Sequence, residues 1–376
     1  MFSYDDWCGG NIISGTVTGK TQNDRRQKST KNFAKEYVYA KVGETVVGSG
    51  QTANNGTYSI DVGSYTQVLV KFILEGPWIR VTDMGSDIYA TKNTSAPAIN
   101  VNHYWKQLDD VLPAANVFYH INQMRDFFLN LGYNDWNSQR NSSIEDEIKP
   151  GQAIGTTSIF STEGAKCSDV IYHEITHNVI YTIVGNFITG INKYYSDAGR
   201  YGNEAEAMGE AFPDFFACTR NENSTVFDSL EIKREIGPNK MFSEDMYPDK
   251  YKSSLIMSGA CWDLRNYIGA NNANQLLFDA INMMAAIYTH PYYFGEYLDC
   301  VYLCNDVPTY EYYIDKAFVR DHGIIRMLSR PVVFPDEDFN EPEKIDLPQN
   351  YLLYQNFPNP FNSQTLIRYE IPQSYR

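Results

Sequence analysis

Two imidazoles and a carboxylate fall within five residues of one another in His173-Glu-Ile-Thr-His177. On a helix, positions i and i+4 share a face, so both rings can reach one Zn²⁺. Glu174, next to the first ring, then projects beside the metal, where it can take a proton from water. Ser168 or Asp169 is placed to cap such a helix, and Val170, Ile171 and Ile175 supply its apolar contacts. A second helical stretch, Glu204-Ala-Glu-Ala-Met-Gly-Glu210-Ala-Phe-Pro-Asp214-Phe-Phe-Ala, puts Glu210 and Asp214 on one face. The competing reading is two ordinary helix faces whose imidazoles and carboxylates are simply solvated. Pro213 lies between the two acids and, in a regular helix interior, costs about 3 kcal/mol and favours a kink.

These two helices resemble those of the thermolysin-like and fungalysin-like zinc peptidases, in which HExxH on one helix is followed by a Glu ligand and, four residues later, an Asp on the next. The resemblance implies that His173, His177 and Glu210 hold Zn²⁺, that Glu174 is the general base, and that Asp214 orients His173 through its other ring nitrogen. The register also brings Tyr201 to the family's phenolic oxyanion donor. Asp169 falls on a family calcium-ligand position, so Ca²⁺ is a second cation to consider. The other carboxylates of that site do not align, which favours helix capping instead.

The likeness spans most of residues 114–327. It includes Asn116-Val-Phe-Tyr-His-Ile-Asn-Gln-Met-Arg-Asp-Phe-Phe, Ser258-Gly-Ala-Cys-Trp-Asp-Leu-Arg265 and Ala317-Phe-Val-Arg-Asp-His-Gly-Ile. It implies a small β-containing lobe and a mostly helical lobe, zinc in the cleft between them, and a strand edge for substrate backbone within 152–160. One departure stands out. The family's downstream His, an oxyanion donor, is absent from Asp249-Lys-Tyr-Lys-Ser-Ser-Leu-Ile-Met-Ser-Gly. One register puts Tyr251 there, and another puts Leu255. A neutral phenol stabilises an oxyanion less than an imidazolium does. His290 and His322 are alternative donors, but both lie in segments that align elsewhere.

Several elements must position these groups. Ser14–Thr18, Tyr37–Val42, Gly56–Val62 and Gln67–Phe72 alternate apolar and polar residues with period two, and Asn54-Asn55-Gly56 supplies a φ > 0 turn suited to a tight hairpin. The polar stretch 23–31 reads as a loop. Residues 1–95 therefore form a β-sandwich resembling the carboxypeptidase-regulatory-like domains of secreted enzymes. From residue 96 to about 330 the pattern is mainly helical, beginning with Ala115–Leu131, whose apolar residues share one face before Gly132 ends the helix. The fold class is α+β, a sandwich followed by a two-lobed peptidase domain. Residues 331–350 are rich in Pro and acids and read as a linker. In 351–376, Asn356-Phe-Pro-Asn-Pro-Phe-Asn resembles the start of the C-terminal sorting domains of type IX secretion, here truncated.

The formal charge of −15 argues against nucleic acid or an anionic membrane as main partner, and no run of 18 apolar residues spans a membrane. Six cysteines permit up to three bridges without specifying any, and none has CxxC spacing. The first fifteen residues lack the basic-then-apolar pattern of a signal peptide, so a leader is expected to have been removed or to lie upstream. The function expected is a secreted or cell-surface zinc endopeptidase acting on proteins or peptides. The alternative is a zinc-bound but catalytically weak or silent binding or adhesion module, which the missing His favours and the intact Glu174 opposes.

Overall fold

The computed structural model describes residues 10–106, 111–146, 149–185, 204–242, 244–245, 249–288 and 293–327, with short strands at 352–353 and 369–370. Nine strands precede residue 96: β1 (Ile12–Gln22), β2 (Lys28–Asn32), β3 (Tyr37–Val42), β4 (Thr45–Gln51), β5 (Thr57–Asp61), β6 (Gln67–Ile73), β7 (Ile79–Asp83), β8 (Ser86–Asp87) and β9 (Tyr89–Ser95). One sheet runs β4-β3-β6-β9. In another, β1 pairs with β2 and β5, and also with β10 (His103–Trp105) in parallel. Alternation sends Val68, Val70 and Phe72 of β6 inward, where Phe72 meets Tyr58 of β5 edge-on at 5.8 Å.

Two local expectations are corrected. The Asn54–Gly56 turn, with Gly56 at φ +77°, does not close a hairpin: it carries the chain from β4 to β5, which lie in different sheets. The tight hairpin is β3–β4, whose two-residue loop begins at Gly43, φ +58°. The stretch 23–31 is a turn leading into β2, which pairs with the distal half of β1.

Strand pairing also crosses the boundary at 95/96. β7 pairs in parallel with β11 (Arg140–Ile144) inside a sheet ordered β12-β13-β11-β7-β8, in which β12 is Gly151–Ile154 and β13 is Thr157–Phe160. The first helix, α1 (Leu112–Asn130), packs on β1, β7 and β11. Its buried His120 joins Tyr172 Oη at 2.7 Å and the Gln22 carbonyl at 3.0 Å, tying the N-terminal strands to the centre of the helical part. Pro113 sits in the first turn of α1, where its missing N–H costs nothing, and Gly132 follows the last turn at φ +92°.

The helical part comprises α2 (Ser168–Val184), α3 (Glu204–Asn221), α4 (Lys250–Ile268), α5 (Ala270–Ile287), α6 (Phe294–Cys304) and α7 (Tyr310–Ile314), with a short hairpin of β14 (Thr225–Val226) and β15 (Arg234–Glu235) between α3 and α4. The chain is thus α+β, strand-rich first and helical after. The apolar sequence of α2 suits its place, packed by α1, α3 and α5 with β12 and β13 against it. None of the described helices is long and apolar enough to cross a membrane. Cys167, Cys218, Cys261, Cys300 and Cys304 are all free thiols, so none of the allowed bridges forms among them. In the tail, β16 (Leu352–Leu353) pairs antiparallel with β17 (Tyr369–Glu370), while the 331–350 linker and the Asn356–Asn362 motif lie outside the described residues.

Candidate metal centre

His173 and His177 stand one turn apart on α2, and their Nε2 atoms face each other at 3.0 Å. Glu210, on the neighbouring α3, brings Oε2 to 3.3 Å from the first and 3.6 Å from the second. All three residues are buried, and they form the one group of three or more His, Cys, Asp or Glu found among the described residues that could hold a metal ion. Bonds of about 2.0–2.1 Å to a tetrahedral Zn²⁺ separate neighbouring donors by about 3.3–3.5 Å, so this triangle matches one face of such a site. Three lone pairs turned on one point also need a cation or a proton between them. The donors fit a divalent ion.

Pro213 lies within α3, yet the helix continues across it from Glu204 to Asn221. The residue four before it is Gly209, backbone with the greatest freedom to adjust to the proline ring. Asp214 consequently keeps its place, with Oδ1 2.9 Å from Nδ1 of His173, an ion-pair contact bent away from a linear hydrogen bond. Arg234, delivered by β15, takes the same carboxylate with two hydrogen bonds, Nε to Oδ2 at 2.9 Å and Nη2 to Oδ1 at 2.5 Å.

Charge follows this geometry. Burial disfavours the His173 imidazolium, but Asp214 and Glu210 outweigh it and hold its pKa up at about 9 in the metal-free chain. Burial likewise opposes ionisation of Glu210 and Asp214. His177 and His173 pull Glu210 well below the carboxylate range, while Arg234 and His173 keep Asp214 low. Nδ1 of His177 has no hydrogen-bond partner among the described residues; its ring stacks instead on Tyr181, 5.3 Å away.

Glu174 is 7% exposed and lies against the edge strand β12. A Cβ on Gly151 would sit 2.6 Å from Glu174 Cγ and 3.0 Å from its Oε1, so only glycine lets the strand pass this close. Within 152–160 the edge is β12 alone, since β13 is paired on both sides.

Tyr251, on the first turn of α4, is 39% exposed, with its ring under the cations of Arg234 at 5.1 Å and Lys250 at 4.9 Å. Leu255, the other register, packs against the hydrophobic core. Tyr201 and His290 lie outside the described residues. His322 is fully buried, bonded to the Lys240 carbonyl at 2.9 Å and to Asp263 at 3.1 Å, which is a core role.

Asp169 does not cap α2. The capping position is Cys167, and Asp169 lies in the first turn, accepting from the backbone N–H groups of Val170, Phe227 and Asp228. Burial, with Asp24 nearby, raises its pKa to about 7. A carboxylate already committed to three N–H donors is poorly placed to serve Ca²⁺.

Nothing local in the sequence ties Arg234 or Lys250 to these side chains. Only Gly151, a glycine opening a strand, carried a local sign of close backbone approach. No family model matches the chain, and comparison with curated proteins finds no match.

Proposed function

We propose that this chain is a zinc-dependent peptidase in which His173, His177 and Glu210 hold the metal and Glu174 is the general base. The observation that carries the reading is the position of Glu174: flanked by the two proposed ligand imidazoles in sequence and pressed against β12, which is the edge of its sheet among the described residues. When bound, zinc supplies a Lewis acid that lowers the pKa of water and polarises a carbonyl.

The protein's own groups do the rest. Asp214, gripped by Arg234, fixes the tautomer of His173 and raises its donor strength. The side of β12 that pairs with no described strand offers N–H and C=O groups to an extended peptide, giving affinity through main-chain pairing with little demand on side chains. Glu174 removes a proton from the attacking water and returns it to the leaving amine. Tyr251, and Tyr201 by the family resemblance, are the proposed phenolic donors to the oxyanion. Secretion, and recognition of the 351–376 tail by type IX export machinery, belong to the same proposal on the strength of the Asn356–Asn362 motif.

The test is hydrolysis of a mixed peptide library by the full chain, with and without a chelator. Cleavage that stops with chelation and returns with zinc supports the peptidase. Stoichiometric zinc with no cleavage supports the silent binding module.

A further inference from the structure

Lys250 is the first residue of α4, behind the N-cap Asp249, and its Nζ ends 2.6 Å from Oε1 of Glu210. The pair is shielded, the Glu210 side chain 7% and the Lys250 side chain 28% exposed. The two carboxylate oxygens are therefore divided. Oε2 faces the imidazole nitrogens at 3.3 and 3.6 Å, while Oε1 belongs to Lys250.

A glutamate can bind a metal through one oxygen or through both, and the second oxygen competes with water for coordination space. An ammonium on Oε1 disfavours the second mode in two ways: it takes up one of that oxygen's two lone pairs, and its positive charge repels a cation drawing close enough for a second metal–oxygen bond. We propose that Lys250 is a positioning residue that keeps Glu210 a one-oxygen ligand and thereby leaves the fourth metal position free. This rests on the metal-site reading of His173, His177 and Glu210, though not on the identity of the substrate. The sequence around Lys250 is rich in Asp, Lys and Tyr, so the residue looks like a solvated charge until α4 is folded against α3.

The experiment compares full-length wild type, Lys250→Met and Lys250→Arg, each loaded with Co²⁺ in place of zinc, by visible absorption, with circular dichroism to check folding. Wild type and Lys250→Arg are expected to show the intense bands of a four-coordinate site. Lys250→Met is expected to lose intensity as Glu210 takes the metal with both oxygens. Folded Lys250→Met with the wild-type spectrum overturns the proposal. If Lys250→Met does not fold, X-ray absorption of the zinc-loaded wild type decides: a one-oxygen carboxylate is expected, and a two-oxygen carboxylate, with its carbon closer to zinc, overturns it. A wild type that takes up no metal at all removes the metal-site reading itself, a result distinct from either.

Discussion

Arg234 and Asp214 form a two-pronged ion pair, with hydrogen bonds of 2.9 and 2.5 Å, behind the imidazole of His173. The pair holds a buried carboxylate fixed against that ring. Arg234→Met leaves that buried carboxylate with only His173 beside it, and is expected to cost up to about 3–5 kcal/mol of stability, read by chemical denaturation. Zinc affinity is expected to fall about 10–100-fold in a chelator competition, because the support of His173 loosens.

Glu174→Ala separates chemistry from metal binding. Glu174 is not among the three donors that converge, so zinc content is expected to stay at the wild-type level. Removal of the base is expected to cut peptide hydrolysis by about 10²–10⁴-fold. A variant that cleaves casein at the wild-type rate removes the base assignment.

Gly151→Ala tests the same carboxylate from the other side. The added methyl would meet Glu174 Cγ at 2.6 Å and the Val170 Cγ1 methyl at 3.0 Å, so the Glu174 side chain or β12 must shift. Hydrolysis is expected to fall at least about tenfold while zinc affinity holds within about twofold, since displacing a base costs rate and not ligands. Parallel measurement of kcat and of zinc affinity checks this.

The metal-free chain should respond to pH through His173. Its folded pKa of about 9 lies above the ordinary 6.5, so its contribution to stability is complete below pH 6.5 and is lost as pH rises through 9. Glu210, held well below 4.5, contributes in the opposite sense, fully above pH 4.5 and decreasingly as pH falls through its lowered value. Thermal scans of chelator-treated protein are expected to show Tm falling between pH 6.5 and 9. Zinc competes with the same proton, so zinc affinity is expected to rise over that interval.

The group that could hold a metal ion was legible in sequence because it depends on helical spacing: i and i+4 put His173 and His177 on one face, and Glu210 and Asp214 on another. The kink expected at Pro213 did not displace Asp214, since α3 absorbs the ring with Gly209 four residues back. What spacing cannot reveal is which distant charge arrives. Arg234 reaches Asp214 from a two-residue strand, and Lys250 reaches Glu210 from a helix start forty residues on. The strand order shows the same limit. Period two marked β3 and β6 clearly, but nothing local says that β7 joins β11 in parallel or that the Asn54–Gly56 turn connects two sheets.

The most direct test of the account is a zinc titration of the purified, chelator-treated chain beside His177→Ala and Glu210→Ala. One tightly bound ion per wild-type chain is expected, with a loss of at least about 100-fold in affinity in each variant. A wild type that binds no zinc, or either variant holding the ion as tightly as wild type, contradicts it.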